Sequence, residues 1–152
     1  MAATQLVLFN LGDDEYGVNI LDVQEIIKPQ EVTKVPDNPE FIEGIINLRG
    51  TVVPIIDLKS RVGLGDTDIT DDTRFIILNT DDQTIGFIVD SVKEILRLEE
   101  DALKEIPEIT KINKDYIDSV VERKGKLIIV FDLKKVLSVQ EMDLLKNEVT
   151  AE

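Results

Sequence analysis

The sequence predicts a mainly β protein: two small five-stranded β-barrels related by a pseudo-two-fold, with short helical turns and a C-terminal helix. Three observations carry this. The apolar runs are short and rich in β-branched residues, and they end on turn formers. The chain repeats itself once. Each repeat holds about five such runs in some sixty residues, and closing five strands into a barrel removes aggregation-prone edges.

The repeat is explicit. LVLFNLGDDEYGVNILDVQEIIK, from Leu6, aligns with FIILNTDDQTIGFIVDSVKEILR, from Phe75, at a shift of 69. Asn10 meets Asn79, Gly17 meets Gly86, Val23 meets Val92, Glu25 meets Glu94 and Ile26 meets Ile95. FIEGIINLRGTVVPIIDLKSRV, from Phe41, aligns with YIDSVVERKGKLIIVFDLKKVL, from Tyr116, at a shift of 75. The second half therefore carries six extra residues near ALKEIPEITKIN. Two copies are too few for a solenoid, which needs about three. One domain over 1–152 follows, with subdomain one near 5–65, an acidic connector at 66–73, subdomain two near 74–137 and a helix at 138–149. This division is compatible with strand exchange between the barrels.

The elements follow in order. QLVLFNL and RFIILNT are strands, and GDDE and DDQT are tight corners that open hairpins. Gly17 and Gly86 lie inside the second strands, where glycine marks a bulge or a close backbone approach. NILDVQEIIK has helical spacing at Ile20, Val23, Ile26 and Ile27, but VDSVKEILRL reads equally well as a strand. A turn or short helical corner followed by a strand reconciles the two copies. IINLRGTVVPIIDL turns at Arg49-Gly50, and VVERKGKLIIVFDL at Lys124-Gly125, with glycine free to take the positive φ of a hairpin turn. Pro54 cannot donate to a ladder, which places its strand at an edge or turns that position outward. Asp57 and Asp132 read as caps of helical turns. Ser138 and Glu141 form a capping box for the last helix, and Met142, Leu145 and Val149 form its apolar stripe.

Composition excludes several function classes. The 152 residues contain neither cysteine nor histidine. Disulfides, thiolate metal sites and triads built on histidine are therefore absent. No phosphate-cradling glycine motif occurs. The connector GLGDTDITDDT fails as a calcium loop: counted from Asp66, positions six and twelve are Asp71 and Ile77 rather than Gly and Glu. These absences predict no enzyme activity and no cofactor. The formal net charge of -14 makes nucleic acid and anionic membrane poor partners and suits a basic partner surface. The N-terminus lacks a signal peptide's basic region, and no apolar run reaches the ~18 residues of a span. A cytoplasmic protein without membrane insertion is expected. Val23, Ile26, Val92 and Ile95, paired by the repeat, are candidates for an apolar groove at the seam between subdomains, a shape that suits an amphipathic helix.

Five features in order resemble the CheW family of bacterial chemotaxis coupling proteins. They are LVLFNLGDDEYGVNILDVQEI, VPDNPEFIEGIINLRGTVVPIIDL, IGFIVDSVKEIL, GKLIIVFDLKKVL and the QEMDLL helix. The resemblance spans roughly Gln5 to Leu145, and the NLRG-x-x-x-P-x-x-DL string carries most of its specificity. It implies two SH3-like barrels and no catalysis. It implies a bridge from the chemoreceptor's cytoplasmic helical hairpin to the regulatory domain of the CheA histidine kinase, peripheral to receptor arrays at the inner membrane. Carried over by position, Val23, Glu25, Ile26, Val92 and Ile95 line the receptor groove, and Arg49 contacts the receptor. Gly44 falls near the kinase-facing end, next to Glu43, which stands where the family usually has a basic or neutral residue. The alternative is a CheW-like regulatory module of a larger kinase or coupling protein; the starting methionine and capped C-terminal helix favour the free-standing coupler.

Overall fold

A computed structural model describes residues 4–36, 42–80, 83–98, 103–104 and 116–136. The strands are β1 (Thr4–Leu11), β2 (Asp14–Asn19), β3 (Val23–Ile27), β4 (Ile42–Leu48), β5 (Thr51–Asp57), β6 (Arg74–Asn79), β7 (Thr84–Val89), β8 (Ser91–Leu98), β9 (Leu103–Lys104), β10 (Ile117–Arg123) and β11 (Lys126–Phe131). A four-residue helix α1 (Leu58–Arg61) follows β5, and 3-10 turns occupy Ile20–Asp22 and Leu133–Lys135. The capping box and stripe assigned to a C-terminal helix at 138–149 lie outside the described residues.

Sheets and sequence halves do not coincide. One sheet has the order β8-β1-β2-β11-β10-β9 and the other β3-β6-β7-β5-β4. The opening hairpin of each half, β1-β2 or β6-β7, joins strands of the opposite half. The exchange is symmetric to the residue: Gly17 sits beside Val130 in one parallel pairing, and its counterpart Gly86 beside Ile55 in the other. Even the short sixth strand has an equivalent, because β9 pairs with Val120 and the isolated bridge from Thr33 pairs with the matching Ile45. The spans 5–65 and 74–137 are thus repeat units, and neither alone is a barrel.

This exchange explains the continuous apolar runs. Alternate residues of a strand face opposite sides, so a strand buried on both sides reads as unbroken apolar sequence. In β1, Leu6 and Leu8 face a barrel interior with Val121, Ile128 and Val130. Val7 and Phe9 face a core shared by the two barrels. In β6, Phe75 and Ile77 fill the other interior with Ile46, Leu48, Val53, Ile55 and Ile88, while Ile76 and Leu78 face the shared core. Phe9, Tyr16 and Phe131 stack in that shared layer at centroid separations of 5.2 to 6.2 Å.

The corners follow their local chemistry. Arg49 and Gly50 have φ of 50° and 89°, Lys124 and Gly125 of 52° and 80°. Two successive positive φ values match the twist of a two-residue hairpin. Asn47 Oδ1 accepts the Gly50 N–H at 2.8 Å and braces the first corner. Gly86 is crowded by side chains rather than backbone, since a Cβ there would lie 2.6 Å from Ile55 Cδ1, whereas a Cβ on Gly17 would meet only ordinary contacts from 3.5 Å, so neither glycine marks the expected close backbone approach. Asn19 accepts the Leu21 N–H at 3.0 Å to form the 3-10 corner, and β3 follows directly. Pro54 corrects the edge expectation, because β5 lies between β7 and β4. The parallel register to β7 starts at Ile55, one residue past the missing donor.

Candidate functional site

The predicted receptor residues lie on β3, on β8 and at the β4–β5 corner. β3 and β8 are edge strands of different sheets, and each contains a register shift against its neighbour. A bulge re-aims the side chains that follow it. As a result Val23 and Val92 are half-buried against the shared core. Past the bulge, Ile27 packs into one barrel interior and Leu96 into the other. Ile26 and Ile95 are turned outward, 37% and 57% exposed. Sequence reasoning treated these four as one groove-lining set. The structure sorts them into two core-facing valines and two outward isoleucines.

Glu25 and Arg49 are brought together. The guanidinium of Arg49 donates to the Glu25 carboxylate, and the two form an ion pair. β3 and β4 are at opposite ends of their sheet, so the pair spans the gap where the barrel closes. The hydrogen bond from Arg49 holds the Glu25 carboxyl below its ordinary range, and the same contact raises the Arg49 guanidinium. Arg49 faces solvent and Glu25 is half-buried, and an ion pair this open to water contributes little to stability. Arg49 remains mostly exposed and keeps further donors for a partner.

Gly44 is buried on β4. Its φ is 153°, and a Cβ would overlap the Thr33 carbonyl oxygen and lie 2.7 Å from Val32 Cγ1. The absent side chain lets the Thr33 strand bond to Ile45 in both directions at 2.9 Å. Glu43 beside it is half-exposed.

Several residues escaped the sequence reading. Glu94 pairs with Arg123 as Glu25 pairs with Arg49, again between strands distant in sheet order. Lys59 reaches Asp90 at 3.3 Å, and its repeat counterpart Lys134 reaches Asp22 at 3.7 Å. The repeat had aligned Glu25 with Glu94 and Lys59 with Lys134, and that was the available signal. Their partners are offset by one position in the alignment, so only the fold reveals them. Leu21, on the 3-10 corner, is 88% exposed. Asp57 caps α1 and also accepts from Thr67 N at 3.0 Å and Thr67 Oγ1 at 2.8 Å, tying down the connector. Asp132 makes no side-chain cap bond.

Among the described residues, no group of three or more acidic side chains could hold a metal ion, and no helix is long and apolar enough to cross a membrane. Paired, strand-exchanged SH3-like barrels define a CheW-like fold. The CheW-like domain family matches residues 5–141. The chain is 35% identical to the chemotaxis protein CheW of Klebsiella aerogenes over 144 residues, covering 94% of this chain and 87% of that protein. It is 34% identical to CheW of Bacillus subtilis over 134 residues, covering 88% and 86%. The crystal structure of the scaffolding protein TtCheW from Thermoanaerobacter tengcongensis superposes with a TM-score of 0.85 at 38% identity, covering 93% of this chain and 92% of that one. The chain belongs to the CheW family.

Proposed function

We propose that this protein is a non-catalytic coupling protein of the cytoplasm. In this reading it bridges the helical tip of methyl-accepting chemoreceptors to the regulatory domain of the CheA kinase. The observation that carries the proposal is the Glu25–Arg49 corner, which sets an exposed arginine against β3, the edge strand whose next residue is the outward Ile26. An amphipathic helix laid there would bury apolar side chains on Ile26 and offer carboxylates or carbonyls to Arg49. Val23, Val92 and Ile95 extend the receptor face, with the valines as its floor. Gly44 would shape the kinase-facing end through the Thr33 segment packed on it, with Glu43 alongside.

A scaffold without chemistry transmits a signal only by preferring one state of the assembly it holds. Two barrels sharing one core hold two partner surfaces at fixed geometry. The test is titration with a receptor tip fragment and a kinase regulatory domain, separately and then together. Arg49→Glu should keep the melting temperature within a few degrees and weaken receptor binding about tenfold or more. Unchanged receptor affinity in a folded R49E protein would refute the assignment.

A further inference from the structure

The end of the six-stranded barrel carries a second surface with charges of both signs. A cleft of about 680 Å³ opens between the β1–β2 corner, the start of β8 and the β10–β11 hairpin. Asp13, Asp14 and Glu15 line it from the β1–β2 corner, Lys124 and Lys126 from the β10–β11 hairpin, and Lys93 from β8. β2 and β11 run parallel, with Tyr16 beside Ile129, so the acidic stretch and the basic hairpin lie at the same end. Leu127 also lines the cleft and is 60% exposed. Among the described residues none of these six charges is in an ion pair, whereas Glu94 and Arg123 in the same cleft neutralise each other.

The pseudo-equivalent face of the other barrel is different. Where the cleft has Lys124, Lys126 and Leu127, the first copy has Arg49, Thr51 and the half-buried Val52. Where the cleft has Asp14 and Glu15, the other barrel has Gln83 and Thr84. In sequence Asp13 and Lys124 keep their sign in the other copy, as Asp82 and Arg49, whereas Asp14, Glu15, Lys126 and Leu127 have no such counterpart, so the fold does not require these four.

We infer that this face is an isologous contact between two copies of the chain. A two-fold axis through the cleft would place the acidic β1–β2 corner of one copy on the basic hairpin of the other, twice. Leu127 of each copy would sit near the axis, since a two-fold contact makes one patch its own complement. The formal charge of -14 opposes association at long range, but at ~0.15 M salt repulsion fades beyond ~8 Å, leaving the local pairs to decide. The dimer is accordingly weak and salt-sensitive. The inference does not rest on the receptor reading, because none of its charged residues is among the proposed receptor residues, although the cleft borders β8, the strand that carries Val92 and Ile95.

Sedimentation equilibrium of the full chain from about 10 µM to about 1 mM tests it, a range that brackets weak association. The expected result is a mass rising towards twice the monomer. Asp14→Lys and Lys126→Glu should each weaken association about tenfold or more, and the combined D14K/K126E should restore it. D14K is the sharper variant: it lowers the net negative charge, so overall repulsion alone would make it associate more strongly. A monomer mass at every concentration overturns the inference. So does a Leu127→Asp protein that dimerises as well as the parent, or a double swap no better than the single changes.

Discussion

The hairpin corners at 47–50 and 122–125 have nearly the same backbone and different chemistry. Both take two positive φ values, and both lie near a glutamate–arginine pair at the closure of a barrel. In the first, the paired arginine is the corner residue itself, braced by Asn47 and largely exposed. In the second, the paired Arg123 stands one position earlier and is half-buried, which leaves Lys124 at the corner. Duplication fixed the turn. What each turn presents to a partner then changed independently. The same contrast holds for the aspartates that follow the next strand: Asp57 is buried and holds the connector, and Asp132 does neither.

The largest expected effect sharpens the comparison at β4 and β10. Gly44 and Ser119 are equivalent, and both follow a register shift. Gly44→Ala must displace the Thr33 backbone and should cost about 3 kcal/mol or more, whereas Ser119→Ala should cost less than about 1 kcal/mol. Denaturant unfolding of the two variants measures the difference, and equal costs would mean that the two bulges are packed alike. Next in size are the aspartates. Asp57→Ala removes a helix cap and strips partners from Thr67, with an expected loss of about 2 kcal/mol, against about 0.5 kcal/mol or less for Asp132→Ala. Comparable losses would break the asymmetry.

The smallest effect is on pH dependence. Burial, then the nearby charges of Asp132 and Asp22, push the Asp118 carboxyl above its ordinary range, with Lys135 opposing. The folded state therefore binds this proton more tightly than the unfolded chain. Stability from this group falls as pH rises from the ordinary carboxylate value through the raised one. Asp118→Asn should make the protein slightly more stable at neutral pH, and the gain should vanish by about pH 3, where both states are protonated. Thermal melts at the two pH values measure it. Glu25 has the opposite sign: its lowered carboxyl stabilises above the ordinary value and loses that contribution on acidification.

The proposed receptor face was readable as a set of positions because the repeat aligns strands with strands. Val23, Ile26, Val92 and Ile95 were grouped because each pair keeps its type in both copies, and Glu25 was added by the family resemblance. Their division into core-facing and outward residues was not legible. It depends on a bulge, and a one-residue slip in a strand moves side chains to the other face. Gly44 was singled out by position, yet its physical demand comes from Thr33, eleven positions away, which no local pattern places against it.

The sequence by itself determined the strands, the two corners, the duplication and the family, because each is written in local pattern: alternation, turn chemistry and recurrence. Only the tertiary structure decided which strands share a barrel. Val7 and Leu8 are both apolar whichever barrel each one faces, so hydrophobic pattern cannot say that β1-β2 closes the barrel of the other half. That choice is made by pairing over long sequence separation, and with it came the shared core, the two ion-paired closures and the two unlike barrel ends.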